Sequence, residues 1–124
     1  MRQKRVLLVD DDENQVSTFR SVLEEGGYSV ETATTGEQAL DIAEKTSFNL
    51  AIMDVVLPDM RGDEVAGRLR KRGDKTDLIL ITGHPSFQDC IDALDLGIHN
   101  ILLKPIKAEE LLRVAREALS DTQL

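Results

Sequence analysis

Five short hydrophobic segments, each followed by an amphipathic stretch, constrain this chain more than any other feature. Four are continuous aliphatic runs: Val6-Leu7-Leu8-Val9, Leu50-Ala51-Ile52-Met53, Leu78-Ile79-Leu80-Ile81 and Ile101-Leu102-Leu103. Unbroken runs of this length suit parallel strands buried on both faces. The remaining one, Tyr28-Ser29-Val30-Glu31-Thr32, alternates polar and apolar residues. Alternation predicts a half-exposed strand, so the second strand is expected at a sheet edge.

The intervening stretches carry helical spacing. Val16, Phe19 and Leu23 form one stripe and Val65 with Leu69 another; Phe87, Cys90, Ile91 and Leu94 follow i, i+3, i+4, i+7, and Leu111, Ala115, Ala118 and Leu119 repeat the pattern. Thr35 with Gln38, and Asp12 with Gln15, have capping-box spacing, while Ser86 is a further candidate N-cap. Gly26-Gly27, Gly73 and Gly97 stand where helices should stop. The pattern is (βα)5 in one α/β domain over residues 1–124. Such alternation implies a mostly parallel sheet, right-handed crossovers and helices on both faces.

Composition narrows the function classes. With 23 acidic against 15 basic residues the formal charge is −8, unlike a nucleic-acid groove, and aromatics make up only 3%. The single cysteine, Cys90, excludes an internal disulfide framework and a cysteine-based zinc site. No apolar run approaches the roughly 18 residues of a membrane span. A cytoplasmic protein with no direct nucleic-acid or membrane binding by this chain is expected.

In open α/β sheets ligands bind beyond the carboxyl ends of the strands. Here those ends are polar: Asp10-Asp11 after the first strand, Asp54 after the third, Thr82 after the fourth and Lys104 after the fifth. Carboxylates held together repel by about 4 kcal/mol per pair at 4 Å in a protein-surface dielectric, so such a site attracts a cation. Oxygen ligands without nearby Cys or His point to a hard ion such as Mg²⁺, or Mn²⁺. A carboxylate can also attack phosphorus, giving an aspartyl phosphate. Asp54, alone after a buried strand, is the candidate nucleophile. Lys104 and the metal would offset phosphoryl charge, and Thr82 would donate a hydrogen bond.

These residues resemble the receiver domain of two-component response regulators. Val9-Asp10-Asp11 is similar to that family's metal-binding pair, and Asp54-Val55-Val56-Leu57-Pro58-Asp59-Met60-Arg61-Gly62 to its phosphoacceptor loop. Thr82-Gly83 resembles its hydroxyl position and Leu102-Leu103-Lys104-Pro105 its lysine-proline motif, over about residues 4–119 in all. The resemblance implies a flavodoxin-like fold with strand order 2-1-3-4-5. It also implies a phosphoacceptor switch rather than an enzyme, with slow autodephosphorylation. A histidine kinase or phosphotransfer protein would phosphorylate Asp54, docking around Asn14 to Phe19 of the first helix. The metal would be held by Asp10, Asp11, Asp54 and the Val56 backbone carbonyl. A cis Lys104-Pro105 bond is expected, as is a homodimer face built from the fourth helix, fifth strand and fifth helix.

Two positions depart from the family pattern. Ile101 replaces the usual aromatic switch residue, and Gly83 replaces a frequent Ala, which makes that loop more permissive in backbone angle. Asp12 reads as a plain N-cap, Cys90 as a small core residue, and His84 and His99 as loop histidines, with His84 placed to affect phosphoryl hydrolysis. Arg68, Arg70, Lys71 and Arg72 suit a helix C-terminus electrostatically. A haloacid-dehalogenase-type phosphohydrolase is the alternative; it wants an Asp-x-Asp-x-Thr/Val first strand and a late acidic pair, whereas here the acidic pair comes first. A flavin or nucleotide carrier lacks its Gly-rich loop after the first strand.

Overall fold

The computed structural model describes residues 3–84 and 96–120. Its elements are β1 (Arg5–Val9), α1 (Glu13–Glu25), β2 (Ser29–Ala33), α2 (Gly36–Lys45), β3 (Leu50–Asp54), α3 (Gly62–Lys71), β4 (Asp77–Thr82), β5 (Asn100–Leu103) and α4 (Ala108–Leu119). All four strand pairings are parallel, and the sheet runs β2-β1-β3-β4-β5. The helical stretch expected around Phe87, Cys90, Ile91 and Leu94, with Ser86 as its cap, lies outside the described residues.

The sheet separates two cores because successive strand side chains point to opposite faces. Leu7, Val9, Ala51, Met53, Leu78 and Leu80 pack with Ala39 and Leu40 of α2 and Val65, Ala66 and Leu69 of α3. On the other face Val6, Leu8, Ile52, Ile79 and Ile81 pack with Phe19 and Leu23 of α1 and Leu111, Val114 and Ala115 of α4. Leu23 and Leu111 are fully buried. Each such side chain stabilises the fold by about 1.5–3 kcal/mol relative to an exposed one. β3 is buried at every position, as the aliphatic run predicts, and β2 lies at an edge, paired only with β1.

β5 departs from its sequence pattern. The run Ile101-Leu102-Leu103 reads as a doubly buried strand, yet β5 is the other edge, and of its four residues only Leu102 is buried. Leu103 is 51% exposed, while Ile101 packs partly against the α2/α3 core. Apolar composition reports burial in some environment, and a single neighbouring strand cannot supply it on both sides.

Local signals explain the helix ends. Asp12 Oδ1 accepts from the N–H groups of Asn14 and Gln15, so Asp12 is the N-cap of α1. Thr35 caps α2 through Gln38 N–H, but the Gln38 side chain reaches back to Thr34 N–H, one residue before the usual capping-box partner. Gly27 and Gly73 follow α1 and α3 with φ of 99° and 82°, where a side chain would be strained. No helix among the described residues is long and apolar enough to cross a membrane.

Candidate functional site

The parallel strands deliver their carboxyl ends to one rim. Asp54 and Thr82 are the last residues of β3 and β4; Asp10 follows β1 and Lys104 follows β5. Backbone bonds hold these ends in place: Asp10 N–H donates to Ala33 O (3.1 Å), Val55 N–H to Ile81 O (2.8 Å) and Lys104 N–H to Thr82 O (2.9 Å). Asp10, Asp54 and Thr82 are the polar residues buried in the described part of the fold. A buried polar group is costly unless partnered, and each of them has a partner. Asp54 Oδ1 accepts from Val56 N–H at 2.9 Å, and Oδ2 accepts from Lys104 Nζ. Asp10 Oδ1 accepts from Asp12 N–H at 3.0 Å, with Lys104 Nζ 3.8 Å from its other oxygen. Thr82 Oγ1 accepts from His84 N–H at 3.0 Å, which leaves its own proton to be donated. The Lys104-Pro105 bond is cis.

Electrostatics follow from this crowding. Burial pushes the Asp10 carboxyl above the usual carboxylate range; the Asp12 N–H and Lys104 oppose the shift, and Asp54 and Asp11 add to it. Burial alone would lower the Lys104 pKa, but the hydrogen bond to Asp54 and the charges of Asp10, Asp54 and Asp11 raise it above 10.5. Asp10, Asp11 and Asp54 each present a carboxylate oxygen, all within 4.8 Å of one another, with Asp11 exposed to solvent. Three carboxylates, one open to water, fit a hard divalent cation that retains part of its hydration shell.

The loop after Asp54 is shaped by contacts that sequence spacing does not reveal. A Cβ on Gly62 would lie 2.4 Å from the Asp54 carbonyl oxygen, so only glycine fits where the loop turns into α3. Gly62 N–H donates to Val55 O at 2.7 Å, and Val56 pairs with Arg61 across the loop. Asp59 reaches from this loop to α2, accepting from Gly36 N–H at 2.8 Å and Glu37 N–H at 2.9 Å. Those bonds, to Glu37 first and then Gly36, hold the Asp59 carboxyl below the usual range. The basic run at the end of α3 does more than suit a helix dipole. Arg70 donates to the carbonyls of Leu96, Asp74 and Thr76, and Arg72 to Leu40 O on α2. Arg68 pairs with Glu64 one turn away.

A family model described as the response regulator receiver domain matches residues 6–116. The chain belongs to the response regulator receiver domain family. The receiver is 38% identical over 119 residues to the uncharacterized transcriptional regulatory protein YkoG of Bacillus subtilis (strain 168), covering 96% of this chain and 52% of that protein. It is 36% identical over 118 residues to the response regulator MprA of Mycolicibacterium vanbaalenii, covering 95% and 51%. The receiver thus spans about half the length of these curated relatives. The crystal structure of a CheY-like response regulator receiver domain protein from Methanospirillum hungatei JF-1 superposes with a TM-score of 0.92 at 34% identity, covering 97% of this chain and 96% of that one. The match supports a signal-transduction receiver and not the haloacid-dehalogenase alternative. The family is one of phosphoacceptor switches, and its acidic cluster is present here.

Proposed function

We propose that this receiver accepts a phosphoryl group on Asp54 from a histidine kinase or phosphotransfer protein in a Mg²⁺- or Mn²⁺-dependent reaction, and so controls an output domain or partner. One observation carries the reading: a buried carboxylate at the end of β3 has one oxygen held by Val56 N–H and the other by Lys104. Asp10, Asp11, Asp54 and the Val56 carbonyl would hold the cation, which would lower the repulsion between the carboxylates and offset charge on the incoming phosphoryl oxygens. One Asp54 oxygen attacks phosphorus as the bond to the donor imidazole nitrogen breaks, and that nitrogen keeps the electron pair. A carboxylate nucleophile needs no general base. Lys104 moves its hydrogen bonds from Asp54 to a phosphoryl oxygen, and the Thr82 hydroxyl donates to another.

His84, exposed and two residues after Thr82, would influence how fast water removes the phosphoryl group. The exposed Leu103 on β5 supports a homodimer face built from β5, the last helix α4 and the helical stretch expected before β5, which lies outside the described residues. Residues 1–124 act as one receiver domain in the cytoplasm, with no direct nucleic-acid or membrane contact of their own.

Labelling with acetyl phosphate or a histidine kinase tests the reading. Wild type should be labelled when Mg²⁺ is present, and Asp54→Asn should lose the label while keeping its circular dichroism spectrum. Undiminished labelling of the variant at another residue sinks the assignment.

A further inference from the structure

The first turn of α2 has four backbone N–H groups with no partner inside the helix, as every helix does. Their partners here come from two places. Gln38 N–H donates to Thr35 Oγ1, which is ordinary local capping, and Ala39 N–H to Thr35 O is already the first bond of the helix itself. Gly36 and Glu37 donate instead to the two oxygens of Asp59, 23 and 22 residues along the chain. A second contact joins the same two segments. A Cβ on Gly36 would lie 2.5 Å from Met60 Cγ and 2.8 Å from its Sδ, so Met60 sits directly over the glycine backbone. The tip of the loop that begins at Asp54 is therefore fastened to α2 by a bidentate carboxylate and an adjacent side chain. Its two ends are fixed separately, by Val55 N–H on Ile81 O and Gly62 N–H on Val55 O. Between those anchors lie Val56, whose amide holds Asp54, and Leu57, buried in the α2/α3 core.

We propose that Asp59 is a positioning residue: by joining the loop tip to the α2 N-terminus it fixes the Val56 backbone at the geometry that Asp54 and the divalent cation require. The inference rests on the proposed phosphoacceptor function. Asp59 itself is exposed, and its carboxylate is already engaged by two N–H groups, so it acts through the loop and not on the cation. Asparagine at this position keeps one carbonyl acceptor and loses the second, whereas alanine loses both.

The test uses Mg²⁺ titration by calorimetry and labelling by acetyl phosphate across Mg²⁺ concentrations, on wild type, Asp59→Ala, Asp59→Asn, Thr35→Ala and Asp54→Asn. Asp59→Ala should bind Mg²⁺ about tenfold more weakly, the lower end of what outer-sphere substitutions cost. Saturating Mg²⁺ should restore its labelling rate, and Asp59→Asn should fall between it and wild type. Thr35→Ala weakens the same helix end without touching the loop, so it should lower the melting temperature and leave Mg²⁺ affinity unchanged. Wild-type affinity in Asp59→Ala overturns the proposal, and so does an equal loss in Thr35→Ala, which would make the effect one of helix stability. Full labelling of Asp54→Asn would instead remove the phosphoacceptor reading, and the calorimetric arm would still decide the role of Asp59.

Discussion

The backbone leaves the same rim of the sheet after Asp54 and after Thr82, and the loop after Asp54 is held differently from Gly83-His84, the residues described after Thr82. The loop after Asp54 is clamped. Gly62 leaves no room for a methyl group, Leu57 is buried, and Asp59 and Met60 bind α2. At the start of the segment after Thr82 the described contacts are looser: among the described residues a Cβ on Gly83 would meet only Lys104 carbon atoms, at 3.9 Å. The proposed nucleophile and the proposed metal ligands thus sit on a preset side, where binding requires little reordering. The hydroxyl of Thr82 sits beside Gly83, which without a Cβ tolerates a wider range of backbone angles. With Ile at position 101 in place of an aromatic, the proposed switch is expected to adjust its backbone next to Thr82 rather than next to Asp54.

The sharpest way to break the comparison is to put a methyl group on each glycine. Gly62→Ala forces Cβ against the Asp54 carbonyl and should cost about 3 kcal/mol, the upper part of the usual range for overpacking. A urea midpoint close to wild type at unchanged slope would show that the loop is not clamped as described.

Metal binding gives the next largest effect. A ligand that binds only the folded protein stabilises it by about 2.7 kcal/mol at roughly 100 times its dissociation constant. Mg²⁺ should raise the melting temperature of wild type, and Asp11→Ala, which removes the exposed member of the cluster, should lose most of that rise. If the variant responds like wild type, the cation does not use Asp11.

Acid should separate the two carboxylates by sign. Asp59 titrates below its ordinary 3.8 in the fold. Its stabilising contribution is therefore present above the unfolded value and is lost as pH falls through the folded one. Asp10 titrates above 3.8 in the fold, so its contribution is present below the unfolded value and lost as pH rises through the folded one. Without metal, Asp59→Asn should be less stable than wild type at neutral pH, and Asp10→Asn more stable. Both differences should shrink in acid, and urea titrations at several pH values read both. Equal signs for the two variants would contradict the environments assigned to them.

The smallest effect is expected at Gly83. Gly83→Ala meets no close atom among the described residues and should raise stability by about 0.4–1 kcal/mol through a less flexible unfolded chain. Destabilisation by the same amount would mean that the region around Gly83 is packed more tightly than its 3.9 Å contacts with Lys104 imply.

Much of the fold could be read before the structure because its signals are local. Aliphatic runs, i/i+4 stripes and caps such as Asp12 and Thr35 depend on residues a few positions apart. The polar residues at the strand ends were equally legible, since parallel strands must bring their carboxyl ends to one rim. The failures were non-local. Ile101-Leu102-Leu103 reads as a buried strand until its place at the edge of the sheet is known. Arg70 and Arg72 stand at the end of α3 as expected, but their bonds to the carbonyls of Leu96 and Leu40 reach segments far along the chain that no local pattern names.

The sequence by itself determined the alternation of strands and helices, and the chemistry of the rim: three carboxylates, a hydroxyl and an ammonium. Only the tertiary structure decided how these are held. The pairing of Asp59 with Gly36 and Glu37, and of Met60 with Gly36, arises because two crossovers bring the β3–α3 loop against the start of α2. Nothing within a few residues of Asp59 encodes that contact. Its geometry is set by strand order and helix packing, which a local pattern of residue types does not specify.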